Sequence, residues 1–198
     1  EAPACFVWHT LNAYEEGDEV VLVACRMNST NVLAINNEQR DAEGDIPFLH
    51  QWRFNMKDGS VKEEKLDDVP SEFPRVNDNF LGQPTRYGYA GKMGQGSMPS
   101  FEGIIKYDLQ SGKSQTHEFG RSRYGGEAVF APRVNGSGED KGWVITFVYD
   151  SNEDTSELVI ADAQDITWEP VARVLIPQRV PYGFHGDWVS EEKLQKLK

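Results

Sequence analysis

Short runs of apolar and alternating residues recur along this chain, and each run is bounded by Gly, Asp, Asn or Pro. Runs such as 20–23 (VVLV) and 143–149 (WVITFVY) are rich in the β-branched and aromatic residues that favour strands. Helical spacing of apolar residues is scarce before 190–197, where Ser190 and the two acids after it predict a helix start. The pattern therefore predicts an all-β fold of antiparallel hairpins that ends in one short helix.

The strand pattern also repeats along the chain. Segment 53–60 (RFNMKDGS) resembles 106–113 (KYDLQSGK), and 160–167 (IADAQDIT) is a weaker third copy. Three polar residues hold matching turn positions, 53 and 54 residues apart: Asn55, Asp108 and Asp162. Each copy is a strand, a polar turn and a returning strand, and two further strands fit between consecutive copies. Four strands per repeat of this length are typical of a β-propeller blade.

Three four-stranded blades and the first strand of a fourth, beginning at Val180, follow from this spacing. The predicted strands are 6–14, 19–26, 49–57 and 61–67 in the first blade, 72–78, 85–92, 101–109 and 114–120 in the second, and 126–133, 142–150, 157–162 and 167–176 in the third. Propeller rings usually contain 4 to 8 blades, so we expect these residues to be part of a longer protein. A β-sandwich is the alternative fold. Segments 27–46 and 93–100 are predicted loops, each a lid or a surface excursion.

Composition and charge exclude several classes of protein. Hydrophobic residues make up 38% of the chain, which excludes disorder. The net charge of −12, without a basic cluster, argues against a nucleic-acid partner. No apolar stretch approaches the roughly 20 residues of a transmembrane helix. Cys5 and Cys25 lie in apolar runs, which favours buried reduced thiols and a cytoplasmic location. The start at Glu1, without a Met or a signal peptide, favours a fragment.

Ionisable residues occupy the predicted first strand of each repeat: His9, Glu72, Glu127 and His185. First strands line the channel of a propeller, so these side chains are expected to face one axis. Neutral imidazole is a good ligand for iron, copper or zinc, and a carboxylate on its far nitrogen fixes the tautomer. A His in a strand is often purely structural, but the repeat register favours a metal site held by the two His and oriented by the two Glu.

The remaining ionisable candidates are predicted to be structural or solvated. His50 lies on a strand away from the axis, and His117 follows a polar turn. Glu15 and Glu16 are expected at a strand end, and Asp67, Asp68 and the run 138–140 are expected in solvated loops. Asp187 lies near His185, but Glu127 is the preferred partner of that imidazole.

Four ordered segments resemble motifs of the carotenoid cleavage oxygenases, the retinal pigment epithelial membrane protein family: 8–16 (WHTLNAYEE), 72–77 (EFPRVN), 126–133 (GEAVFAPR) and 180–186 (VPYGFHG). The resemblance covers nearly the whole chain and identifies residues 1–198 as the C-terminal part of one such propeller domain.

That resemblance implies a seven-bladed propeller that holds a non-haem Fe(II) through four histidines, three of them oriented by glutamates. By motif, His9 matches the third ligand and Glu72 its acid, while His185 matches the fourth ligand and Glu127 its acid. The other two histidines and one glutamate would lie upstream of Glu1. The chain alone is therefore expected to be inactive.

The implied reaction adds O2 across a conjugated C=C bond of a lipophilic polyene and yields two carbonyl products, without flavin or nicotinamide. Segments 52–56 and 86–89 resemble members that cut carotenoids or apocarotenoids at an inner position such as the 9,10 bond. Stilbene-like phenylpropenes are an alternative substrate class. Peripheral membrane contact through regions outside this chain is compatible with such substrates.

Two readings from other functional classes remain open. A hydrolytic propeller would use Glu72 and Glu127 as an acid and base pair. A non-catalytic binding propeller would use the axial polar residues only to seal the channel. Metal dependence separates the oxygenase from both.

Overall fold

The computed structural model describes residues 1–28, 46–94 and 100–196. Within these ranges the chain forms thirteen strands: β1 (Phe6–Glu16), β2 (Glu19–Met27), β3 (Phe48–Asn55), β4 (Val61–Lys65), β5 (Ser71–Arg75), β6 (Tyr87–Met93), β7 (Phe101–Asp108), β8 (Lys113–Glu118), β9 (Arg123–Gly125), β10 (Val129–Pro132), β11 (Gly142–Asp150), β12 (Thr155–Asp162) and β13 (Ala172–Ile176). A 3-10 turn covers Asp78–Phe80, and the helix α1 covers Glu191–Lys196. The prediction of an all-β chain is confirmed. Most of the predicted loops 27–46 and 93–100 lies outside the described residues.

The first four strands form one antiparallel sheet in the order β1-β2-β3-β4. This sheet corresponds to the first predicted blade, and its strand limits differ from the prediction by only a few residues. Glu19 pairs with Asn55 at one end of the β2–β3 hairpin, and Arg26 pairs with Phe48 at the other. Because β2 also pairs with β1, its apolar run lies inside the sheet and not at an edge.

The other nine strands join in a second sheet, which the sequence did not predict. Strands β5 to β8 and β10 to β13 form two four-stranded units that match the second and third predicted blades in order. The short strand β9 pairs with both β7 and β11 and links the two units. Only a glycine fits at position 125 of β9, because a Cβ there would lie 2.3 Å from the Phe119 ring. Neither sheet closes on itself within the described residues.

The predicted first strand of a fourth blade at Val180 is wrong for this structure. Residues 177–190 are all described and contain no strand. Three of their backbone amides bond to side chains instead of to a neighbouring strand. Val180 N donates to Ser156 Oγ at 2.8 Å, Gly186 N donates to Glu127 Oε2 at 2.7 Å, and Trp188 N donates to Asp187 Oδ1 at 2.8 Å. The predicted third-blade strand 167–176 is also shorter and begins at Ala172.

The predicted terminal helix is confirmed. Ser190 Oγ accepts a hydrogen bond from Lys193 N at 3.3 Å, as expected of a residue that caps a helix start. Across the ranges that the structure describes, there is no helix with the length and hydropathy needed to cross a membrane.

The repeated polar residues have the same structural role in each unit. Asn55, Asp108 and Asp162 each end the third strand of their unit. Their side-chain oxygens accept the backbone N–H two residues later, at 2.9 Å, 3.2 Å and 2.9 Å respectively. This Asx turn fixes the returning strand, so the repeat in the sequence reflects one local turn structure used three times.

The core consists of two layers of side chains between the four-stranded units. One layer packs the first sheet against β5–β7 and includes Leu11, Val21, Val23, Leu49, Ala90, Ile105 and Tyr107. The other packs β6 and β7 against β10–β12 and includes Tyr89, Ile104, Phe130, Val144, Val148 and Val159. Face-to-face packing of this kind places β1 beside β5, the first strands of the first two units.

Both cysteines are free thiols, as predicted, but only Cys25 is buried. Cys5 is exposed, because residues 1–5 precede the first strand and lie at the surface.

The acidic run 138–140 is not a solvated loop, contrary to the prediction. The Glu139 carboxylate accepts the backbone amides of Arg86 and Tyr87 at 3.0 Å and 2.6 Å. Asp140 lies 3.1 Å from the amine of the buried Lys106. These acids join the second unit to the third. Asp68, by contrast, is exposed as predicted, and Asp67 Oδ1 accepts the Val69 amide at 2.9 Å.

Candidate metal centre

His9 lies in the first half of β1, against a carboxylate of the neighbouring unit. Its Nδ1 atom is 2.7 Å from Oε2 of Glu72 on β5, and the same oxygen accepts the Phe73 amide at 2.6 Å. Glu72 is only 6% exposed. Burial raises the pKa of Glu72, while its hydrogen bonds from Phe73 and His9 oppose that rise. The Glu72 carboxylate therefore fixes the direction of the His9 ring.

Both strands are irregular where they present these side chains. The β1–β2 register shifts between Val7 and Thr10, on either side of His9. The β5–β6 register shifts between Glu72 and Arg75, and Phe73 between them has a φ of 54°. A positive φ is unusual for a large residue and re-aims the chain at this point. Local backbone distortions thus place His9 and Glu72 face to face.

His185 lies in the irregular segment 177–190 and contacts the second predicted carboxylate. Its Nδ1 atom is 3.4 Å from Oε1 of Glu127, whose other oxygen accepts the Gly186 amide at 2.7 Å. The Glu127 side chain is 5% exposed and the His185 side chain 54% exposed. Asp187, the alternative partner considered for His185, lies 3.4 Å from Arg75.

The two imidazoles meet although they are far apart in the sequence. Their ring centroids are 4.9 Å apart and their planes are inclined by 75°. The Phe73 ring lies beside both, at 5.0 Å from His9 and 5.3 Å from His185. Since bonds from nitrogen to metal are about 2 Å long, rings at this separation can share one ion.

The donor chemistry fits a metal ion that prefers imidazole. With a proton on each Nδ1, both rings donate to a carboxylate and keep the Nε2 lone pair for a ligand bond. Such neutral nitrogen donors suit Fe(II). No group of three or more His, Cys, Asp or Glu that could hold a metal occurs among the described residues. The part of the chain that the structure describes therefore offers His9 and His185 as donors, and a complete site needs others.

The other two histidines lie away from this pair, on β3 and β8. His50 on β3 has its Nδ1 3.3 Å from Glu63 Oε1, and burial lowers its pKa. His117 on β8 is buried, which lowers its pKa as well. Glu15 and Glu16 lie exposed at the end of β1, where Glu16 pairs with Arg53.

Sequence reasoning missed two residues of the site, Phe73 and Arg75. Phe73 contacts both imidazoles, and Nη1 of Arg75 lies 3.5 Å from Oε1 of Glu127. Both residues lie in the segment 72–77, whose resemblance to a family motif could have drawn attention to them. That resemblance alone assigns no role to either residue.

A cavity of about 390 Å³ lies beside the second imidazole, between β11 and the segment 180–187. Aromatic and aliphatic side chains form most of its wall, including Phe147, Leu158 and Phe184. Glu127 and His185 also line it. An apolar ligand in this cavity would therefore lie next to the candidate metal centre.

Comparisons with known proteins show the family to which this chain is similar. The profile of the Retinal pigment epithelial membrane protein family matches residues 1–190. The Carotenoid 9,10(9',10')-cleavage dioxygenase 1 of Pisum sativum is 40% identical over 99% of this chain and 39% of its own length. The Apocarotenoid-15,15'-oxygenase of Synechocystis sp. is 35% identical over 94% of this chain and 39% of its own length.

Solved structures show the same similarity. The crystal structure of cobalt-substituted Synechocystis ACO superposes with a TM-score of 0.85 at 32% identity, over 95% of this chain and 40% of that one. The chain thus spans about 39% of the length of the curated relatives named above.

Proposed function

This chain belongs to the retinal pigment epithelial membrane protein family, the carotenoid cleavage oxygenases, and we propose that it is the C-terminal part of a dioxygenase that cleaves a conjugated C=C bond. The complete protein would be a single seven-bladed propeller domain that uses Fe(II) and O2 and forms two carbonyl products. The observation that carries the proposal is the meeting of His9 and His185, each with its Nδ1 directed to a buried carboxylate.

His9 and His185 would supply two of the imidazole ligands through Nε2. Glu72 and Glu127 would accept the Nδ1 protons, which keeps both rings in the ligating tautomer and increases their basicity. When bound, Fe(II) supplies the redox chemistry that lets O2 react with a closed-shell alkene. In this proposal the two histidines hold the metal ion and the two glutamates orient the histidine rings. None of these four residues needs to transfer a proton.

The hydrogen bonds of the two carboxylates argue against the hypothesis of a hydrolytic propeller. Glu72 is bonded to an imidazole and to the Phe73 amide, and Glu127 to an imidazole and to the Gly186 amide. An acid and base pair for glycoside hydrolysis needs carboxyl groups that exchange protons with substrate and water. Carboxylates engaged in this way are better suited to orienting metal ligands.

The proposed substrate is a carotenoid or apocarotenoid, cut at the 9,10 bond. The name of the Pisum sativum relative supports this position, and the apolar wall beside His185 suits a lipophilic polyene. The Synechocystis relative carries a name that specifies the 15,15' position, so the position of cleavage must be measured.

Metal content and product analysis of the full-length protein test the proposal. We expect stoichiometric iron and the paired carbonyl products of 9,10 cleavage, formed only with O2. His9→Ala and His185→Ala should each lose iron and turnover, whereas the control His50→Ala should keep both. Turnover that survives complete chelation, or iron retained in both ligand variants, would disprove the proposal. Products of 15,15' cleavage would overturn the assigned bond alone.

A further inference from the structure

Strand β5 contacts both halves of the candidate metal centre. Glu72 on this strand contacts His9, as described above. Three residues later, Nη1 of Arg75 lies 3.5 Å from Oε1 of Glu127, and its Nη2 lies 3.4 Å from Oδ1 of Asp187. The same short strand therefore holds the carboxylate of one imidazole and a cation beside the carboxylate of the other.

The segment that carries His185 depends on few anchors. No strand ladder fixes residues 177–190, all of which are described. Val180 is tied by its amide to Ser156, and Gly186 by its amide to Glu127. Tyr182 packs edge-on against Tyr149, with ring centroids 6.1 Å apart. On the far side of His185, Arg75 contacts Asp187, so removal of Arg75 would loosen the chain next to the imidazole.

Glu127 also needs a compensating charge. Its side chain is only 5% exposed, and a buried carboxylate is costly unless donors or cations surround it. The other groups that contact the Glu127 carboxylate are the Gly186 amide and the His185 ring. Arg75 is the permanent cation that contacts Glu127 within the described ranges. Its guanidinium reaches Glu127 and Asp187 through two different nitrogens, a geometry that the single amine of Lys does not reproduce.

We propose that Arg75 is a positioning residue of the metal centre, which bridges Glu127 and Asp187 and thereby holds His185 in place for the metal. The inference rests on the proposed function, because it concerns how His185 is held as a ligand of the metal ion. The contacts of Arg75 are to carboxylates, including Asp78 at 3.7 Å, so Arg75 acts on the imidazole through Glu127. Arg75 also connects the segment that carries His185 to β5, the strand of Glu72.

Co²⁺ titration of the full-length protein tests this role without relying on activity. Arg75→Met should weaken Co²⁺ binding by about 10- to 100-fold, the usual effect of losing an outer contact of a metal ligand, and should alter the visible d–d bands. Arg75→Lys should give an intermediate loss. The matched control is Arg86→Met, since Arg86 pairs with Asp108 away from the site and should leave Co²⁺ binding unchanged.

A comparison of double mutants tests whether Arg75 affects metal binding through Glu127. In a Glu127→Gln background, Arg75→Met should cause little further loss of Co²⁺ affinity, because the bridge from Asp187 to Glu127 has already lost its carboxylate end at Glu127. In a Glu72→Gln background it should cause its full loss. An equal loss in both backgrounds, or wild-type binding by Arg75→Met, would overturn the inference.

Two further variants distinguish a failure of the role of Arg75 from a failure of the proposed function and from misfolding. If His185→Ala binds Co²⁺ as well as the wild type does, the proposed function itself fails. If His185→Ala loses Co²⁺ and Arg75→Met does not, only the role of Arg75 fails. Should Arg75→Met not fold, Asp187→Asn removes the other end of the bridge at a side chain that is 61% exposed, and it should also weaken Co²⁺ binding. Wild-type affinity in Asp187→Asn would contradict the bridge.

Discussion

The Nδ1 atom of His9 lies 2.7 Å from Oε2 of Glu72, although 63 positions separate the two residues in the chain. One residue is on the first strand of the first sheet and the other on the first strand of the second sheet. The contact therefore crosses from one four-stranded unit to the next. A matching contact joins His185 to Glu127, and the two imidazoles meet between them.

Replacement of Glu72 by Gln tests whether this carboxylate orients a metal ligand. Gln removes the anionic acceptor for the His9 Nδ1–H, so the full-length protein should bind Fe(II) about 10- to 100-fold more weakly. Competition with a chelator under anaerobic conditions measures the affinity. The control is Glu63→Gln, because Glu63 contacts His50 in a similar pair away from the site. Equal affinities in wild type and Glu72→Gln would exclude the orienting role.

Asp140→Asn should destabilise the packing between the second and third units. It removes the anionic partner of Lys106, whose side chain is 6% exposed, and leaves a buried ammonium beside the Tyr87 ring. Breaking a buried ion pair in this way costs about 3–5 kcal/mol. Chemical denaturation of the full-length protein measures the change in unfolding free energy.

The control for that prediction is Asp18→Asn, since Asp18 pairs with Lys57 at the surface. It should change stability little. If Asp140→Asn is as stable as this control, the Lys106 pair does not hold the units together.

Asp108→Asn should lower stability at neutral pH but not at low pH. Asn55 shows that Asn supports the same turn, so the substitution removes chiefly the ion pair with Arg86. That ion pair lowers the pKa of Asp108 below its usual range. The stabilisation is therefore complete above the unfolded-state pKa, about 3.9, and is lost as the pH falls through the lower folded-state value.

Thermal midpoints of wild type and Asp108→Asn, measured from neutral pH to the acid limit of folding, give the test. The difference should be small, because Arg86 is exposed, and it should shrink below about pH 4. A difference that is constant across the pH range would indicate an effect on the turn instead of the ion pair.

Gly125→Ala should disturb the link that β9 makes between the units. The new Cβ would lie 2.3 Å from the Phe119 ring, and overpacking of this kind costs about 1–3 kcal/mol. The adjacent Gly126 provides a matched control, because a Cβ there would meet nothing within 4 Å. Comparison of the two unfolding free energies tests the contact. If both variants are destabilised alike, the Phe119 contact is not the cause.

Much of the fold could be predicted because its signals are local. The period-two alternation of strands and the Asx turns at Asn55, Asp108 and Asp162 depend on residues that are neighbours in sequence. The short strand β9 had no such signal, since three residues are too few to show alternation. The segment around Val180 has apolar and aromatic residues like a strand, yet its amides bond to the Ser156 and Glu127 side chains.

The sequence by itself determined the all-β class, the hairpin repeat and the four residues His9, Glu72, Glu127 and His185 as candidates for one site. Only the tertiary structure decided that the imidazoles meet, that Phe73 lies beside both of them, and that Arg75 bridges Glu127 to Asp187. The physical reason is that strand patterns and turns are set by short-range sterics and hydrogen bonds. Contacts across 50 or more residues depend on how the sheets pack and on distortions such as the positive φ of Phe73, which leave no periodic trace in the chain.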